Sequence, residues 1–162
     1  MESTCQEAIK ILEEQRKLYS QLTDLSMHKQ QHLIKGNLEA LNEVTRQEES
    51  LIFQLGKLEE KREACFTLLA ELFGFDGNST LQEILPQLPL GSQGQLKQIQ
   101  EDFFVLIREL TQLNQENTSL IQQSLRFVNF TVETINQQSK PLYNAEQEVK
   151  AEQLNNLLDK KV

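Results

Sequence analysis

Residues 96–131 read LKQIQEDFFVLIRELTQLNQENTSLIQQSLRFVNFT. Within them Leu96, Ile99, Phe103, Leu106, Leu110, Leu113, Asn117, Leu120, Ser124, Phe127 and Thr131 step alternately by three and four residues. That is the a/d ladder of a heptad, and it predicts one helix packed along another. From Gly94 to Gln137 such a helix spans about 65 Å at 1.5 Å per residue. A compact globule has no need of that length, whereas a rod-like bundle does. Asn117 and Ser124 put polar groups on the seam. A polar seam residue commonly fixes register at a cost in stability; a binding role for Asn117 is the alternative. Phe104, Ile107, Ile121, Leu125 and Val128 widen the apolar stripe. A stripe that wide buries two neighbouring helices, or leaves an apolar groove for a partner if only one covers it.

Upstream, the same helical period recurs. Cys5, Ile9, Leu12, Tyr19, Leu22 and Leu33 form a first run that stops at Lys35-Gly36-Asn37. Gly36 suits the left-handed conformation that closes a helix, and Asn37 suits the cap of the next. Leu41, Val44, Leu51, Leu55, Leu58, Cys65, Leu69 and Leu72 form a second run, broken by Gly74-Phe75-Asp76-Gly77-Asn78. Thr80-Leu81-Gln82-Glu83 has capping-box spacing and predicts a short helix, ended by Pro86 and Pro89. Gly91-Ser92-Gln93-Gly94 then opens the longest run. Downstream, Ser139-Lys140-Pro141 predicts its end. Beyond lies a weakly amphipathic tail in which Lys140, Lys150, Lys160 and Lys161 offset Glu146, Glu148, Glu152 and Asp159. A segment so short and polar does not hold helix firmly in water, and it is read as mobile and able to fold on a partner. Packing back onto the bundle is the alternative.

The fold class is therefore all-α: an elongated antiparallel helical bundle of three long helices, a short connecting helix and a flexible or weakly helical C-terminal tail. The expected division is a bundle domain over 1–138 and a tail over 139–162. Only 38% of the 162 residues are apolar, which suits long two- or three-helix packing.

Chemistry is sparse. Lys plus Arg is 16 and Asp plus Glu is 24, a net charge of −8, which argues against nucleic acid and anionic lipid as partners. Lys57, Lys61 and Arg62 are interrupted by Glu59, Glu60 and Glu63, a mixed-charge face. His28 and His32 lie one turn apart, but Lys29 stands where a zinc-protease motif needs Glu, so they are expected to be surface histidines. The paired carboxylates Glu13-Glu14, Glu48-Glu49 and Glu59-Glu60 fall on polar helix faces. No phosphate loop and no nucleophile motif is present. Cys5 and Cys65 are too few for a disulfide framework. They are read as buried or half-buried reduced thiols; a bridge between the first two helices is the alternative. No secretory signal and no membrane-spanning stretch is seen. These features predict a non-enzymatic protein, without metal or cofactor, that acts by binding another protein.

Several segments resemble flagellar export chaperones of the FlgN type. They are Leu18-Tyr19-Ser20-Gln21-Leu22, Leu33-Ile34-Lys35-Gly36-Asn37-Leu38-Glu39-Ala40-Leu41, Gln47-Glu48-Glu49-Ser50-Leu51, Leu58-Glu59-Glu60-Lys61-Arg62, Leu81-Gln82-Glu83-Ile84, Leu113-Asn114-Gln115-Glu116-Asn117-Thr118-Ser119-Leu120-Ile121, and Tyr143. Their order, and the helix–Gly-Asn–helix–short helix–long helix layout, carry the likeness. The resemblance implies a cytoplasmic chaperone that binds hook–filament junction proteins through their C-terminal helical segment. It also implies delivery of those clients to the flagellar type III export machinery. It places the client-binding residues in the C-terminal part: Leu142, Tyr143, Val149, Leu154, Leu157 and Leu158, with Phe127, Val128 and Thr131 at the end of the long helix. A self-associating coiled-coil scaffold, pairing as a homodimer, is the second reading.

Overall fold

The computed structural model describes the backbone of residues 2–76 and 79–158, and the side chains of 2–76 and 79–137. Among the described residues, four α-helices and one 3-10 turn follow in order: α1 Glu2–Lys35, α2 Leu38–Leu72, α3 Leu81–Ile84, the 3-10 turn Leu85–Gln87, and α4 Leu90–Leu158. No strand occurs among the described residues.

The turn between α1 and α2 follows the expectation from Gly36 and Asn37. Gly36 has φ +65°, where a side chain would be strained. Asn37 donates its backbone N–H to the His32 carbonyl at 3.0 Å, closing α1. Its side chain accepts from the Ala40 N–H at 3.1 Å and so caps α2. The expected reciprocal contact at Thr80 is also made: the Thr80 N–H donates to the Glu83 carboxylate at 2.7 Å.

Two ends of α4 differ from expectation. The helix begins at Leu90, so Gly91 and Gly94 lie inside its first turns. Pro89, directly before it, takes the capping position: its carbonyl accepts from the Gln93 N–H at 3.0 Å, and its own missing N–H costs nothing there. At the other end, Ser139-Lys140-Pro141 does not stop α4, whose backbone remains helical to Leu158. A proline removes one donor and crowds one carbonyl, but residues 142–158 hold no glycine and are rich in Leu, Glu, Ala and Gln. The expected weakly helical tail thus has a helical backbone through Leu158, joined directly to the long helix.

The chain forms two compact units, Met1–Leu120 and Ile121–Val162. The core of the first sits where the start of α1, the end of α2, the short helices and the start of α4 meet. Cys5, Ala8, Ile9 and Leu12 pack there with Cys65, Leu69, Ala70, Ile84, Leu85, Leu88, Leu96 and Ile99. Phe66, Phe73, Phe75 and Phe103 close its edges. Leu72, by contrast, is exposed. The two cysteines are free and buried.

Along the first unit, α1 is held to α4 and to α2 by alternating apolar and polar layers. The Tyr19 and Phe103 rings meet edge to face at 5.6 Å. Arg16 pairs with Asp102 beside them. Further on, Lys29 pairs with the buried Glu48 at 2.7 Å, and the Ser26 hydroxyl donates to the same carboxylate at 3.4 Å. Asn117 reaches that layer from α4, donating to the Ser26 carbonyl at 2.9 Å. The predicted seam is buried or half-buried from Leu96 to Leu120.

Candidate partner-binding surface

Large apolar side chains of α4 are exposed at Phe104, Val105 and Ile107 and, more densely, from Ile121 onward. Ile121, Leu125, Phe127, Val128, Phe130, Val132 and Ile135 are all exposed. Such a density of exposed large apolar groups exceeds the scattered ones that ordinary surfaces carry. Five of them, Ile121, Leu125, Val128, Val132 and Ile135, step by four, three, four and three. At 3.6 residues per turn they fall within an arc of about 80°. That is the width of a stripe that receives one helix. In sequence it stands one residue ahead of the a/d ladder carried on by Ser124, Phe127 and Thr131.

The candidate residues therefore divide between two faces. Val128, 53% exposed, lies at the centre of the stripe. Phe127, 72% exposed, and Thr131 keep the seam register and lie on the adjoining face. Sequence reasoning picked out Ile121, Leu125 and Val128 as a broadened stripe, but passed over Val132 and Ile135. The repeat one residue out of step with the seam is the pattern that identifies them. Leu142, Tyr143, Val149, Leu154, Leu157 and Leu158 stand on the helical backbone of α4, and their side chains lie outside the described residues.

The electrostatics suit a protein partner. Between Ile121 and Gln137 the only charged residues are Arg126 and Glu133; the rest of the polar positions are Gln, Asn, Ser and Thr. No phosphate-binding surface can be built from one arginine. The Thr131 hydroxyl donates to the Phe127 carbonyl at 2.9 Å, and the Thr134 hydroxyl to the Phe130 carbonyl at 2.8 Å. With these hydroxyls satisfied inside the helix, a partner can cover them without stranding a buried donor.

Other expected chemistry is placed as follows. His28 is exposed, while His32 is half-buried, with Nδ1 sequestered and unbonded among the described residues. Half-burial of His32 departs from the surface position expected for both histidines, because it sits in the last turn of α1 on the inward side. Among the described residues no group of three or more His, Cys, Asp or Glu is arranged to hold a metal ion. No helix among them is long and apolar enough to cross a membrane.

No curated protein and no solved structure matches the chain. The family described as FlgN protein matches residues 1–151, nearly the whole length, and the order of helices fits the resemblance seen in the sequence. The chain belongs to the FlgN family.

Proposed function

We propose that this protein is a cytoplasmic flagellar export chaperone that binds hook–filament junction proteins and delivers them to the type III export apparatus. The observation that carries the reading is the uncharged apolar stripe Ile121–Leu125–Val128–Val132–Ile135, exposed on α4 of a FlgN-family chain. The client's C-terminal segment, folding as an amphipathic helix, lays its apolar side on this stripe and on the helix beyond it, at Leu142, Tyr143, Val149, Leu154, Leu157 and Leu158. Phe127 and Thr131 extend the contact to the adjoining face. Burial of apolar area drives the association and offsets the entropy lost by ordering the client. The protein acts by binding alone, without cofactor or catalysis. Holding the client's helical segment in this way keeps it from premature assembly.

Calorimetric titration with the C-terminal segment of a hook–filament junction protein from the same cell tests this. The expected result is a one-to-one complex with a negative heat-capacity change, the mark of buried apolar surface. Absence of binding at high concentration overturns the proposal and leaves a self-associating helical scaffold as the better reading.

A further inference from the structure

The first unit carries a second unfilled surface, on α1 and α2. Two depressions along this hairpin meet at Gln21. Leu18 and Leu58 line one, Leu25 and Leu51 the other, so each helix contributes one leucine to the floor of each depression. On α1 the lining runs from Glu14 to His28, a length of about 21 Å at 1.5 Å per residue. A helix of about four turns fits that length.

The rim says which helix. Lys17, Lys57 and Lys61 all border the Leu18–Leu58 depression, against one carboxylate, Glu14. None of the three lysines is ion-paired among the described residues, although the chain as a whole carries a net charge of −8. Elsewhere Lys29, Arg16 and Arg62 each have a carboxylate partner. Lys57 rests instead over the Phe53 ring, 4.4 Å from its centre. Unspent positive charge gathered beside an apolar floor, in an acidic protein, is complementary to an acidic amphipathic helix.

We propose that the α1–α2 groove docks an amphipathic helix of a partner protein, its apolar side on Leu18, Leu25, Leu51 and Leu58 and its carboxylates over Lys17, Lys57 and Lys61. This surface belongs entirely to the first unit and does not depend on the client reading of α4. A chaperone with two separate helix-binding surfaces engages a second protein while its cargo is held.

The test uses the full chain and synthetic helices of about four turns with Leu on one side. One peptide has Glu flanking the stripe, a second has Lys in place of Glu, and a third scrambles the order of the first. Methyl resonances of Leu18, Leu25, Leu51 and Leu58 report occupancy. The Glu peptide is expected to shift all four at one-to-one stoichiometry, and the scrambled peptide none. The triple substitution Lys17→Glu, Lys57→Glu, Lys61→Glu, confined to exposed positions, should weaken the Glu peptide about tenfold and strengthen the Lys peptide. Equal affinity for the Glu and Lys peptides overturns the proposal, as does failure of the Glu peptide to bind. Shifts at these leucines that grow with protein concentration in the absence of peptide assign the groove to a second copy instead, and also overturn it.

Discussion

The Asn117 side chain donates to the Ser26 carbonyl across 2.9 Å, fastening α4 to α1 in the polar layer that also holds Glu48 and Lys29. Its Nδ2 is bonded, while its buried Oδ1 accepts nothing among the described residues. This half-satisfied amide fixes which turn of α4 meets Ser26, and it does so at a cost in stability. Asn117→Leu is therefore expected to raise the free energy of unfolding by about 1 kcal/mol in urea titration. Asn117→Asp is expected to lower it by about 2 kcal/mol, because a carboxylate cannot donate to Ser26 and enters the layer that already holds Glu48. A destabilised Leu variant would show that the bond to Ser26 outweighs the stranded oxygen.

Much of this arrangement is legible in the chain. Gly36 and Asn37 announce the hairpin because one position needs φ above zero and the next needs a capping oxygen. The heptad ladder from Leu96 to Leu120 announces the seam because burial demands its period. Where the seam stops is not legible, because Phe127 and Thr131 continue the ladder yet are exposed. Periodicity records which face is apolar, not how far a neighbouring helix accompanies it. Pro141 misleads for a related reason. Its local penalty is fixed, while the persistence of a helix depends on the sum over many residues.

Three carboxylates tie the first unit to an acid response. The Arg62 guanidinium, aided by the Gln15 amide, holds Glu59 below its ordinary value of 4.5. Arg16 and then Gln98 hold Asp102 below 3.8, and Gln112 and then Gln30 hold Glu116 below 4.5. A carboxylate whose pKa is depressed by folding adds stability above its unfolded pKa, and loses it as pH falls through the folded value. Urea midpoints should thus be flat from neutral pH down to roughly 5 and decline below roughly 4. Glu59→Gln should shorten that decline; an acid limb identical to that of the parent would remove Glu59 from the account.

Burial raises the thiol pKa of both Cys5 and Cys65, so little thiolate forms near neutrality and no reagent reaches it. A disulfide-exchange dye is expected to label neither thiol in the native protein and both in urea. The native labelling rate should follow the rate of unfolding and be independent of reagent concentration at high reagent. Rapid native labelling of either cysteine would mean that the start of α1 opens away from the core on its own.

Substitutions on the α4 stripe separate binding from folding. Leu125 and Val128 are already exposed, so Leu125→Glu and Val128→Glu should change unfolding free energy by only about 0.5 kcal/mol. Each places a charge where an apolar client side chain would lie, and each should weaken the junction-protein segment at least tenfold, on the order of 1.4 kcal/mol or more. Phe127→Ala, on the adjoining face, is expected to cost less than either. Removing residues 142–162 should abolish client binding and leave thermal unfolding nearly unchanged, since the core and buried seam described for the first unit use residues up to Leu120. If the truncated chain loses binding while the Glu variants bind normally, the client contacts lie beyond the stripe, on the last turns of α4. If truncation instead causes a large fall in melting temperature, those turns support the fold itself, and the separation of a bundle from a client-binding segment fails.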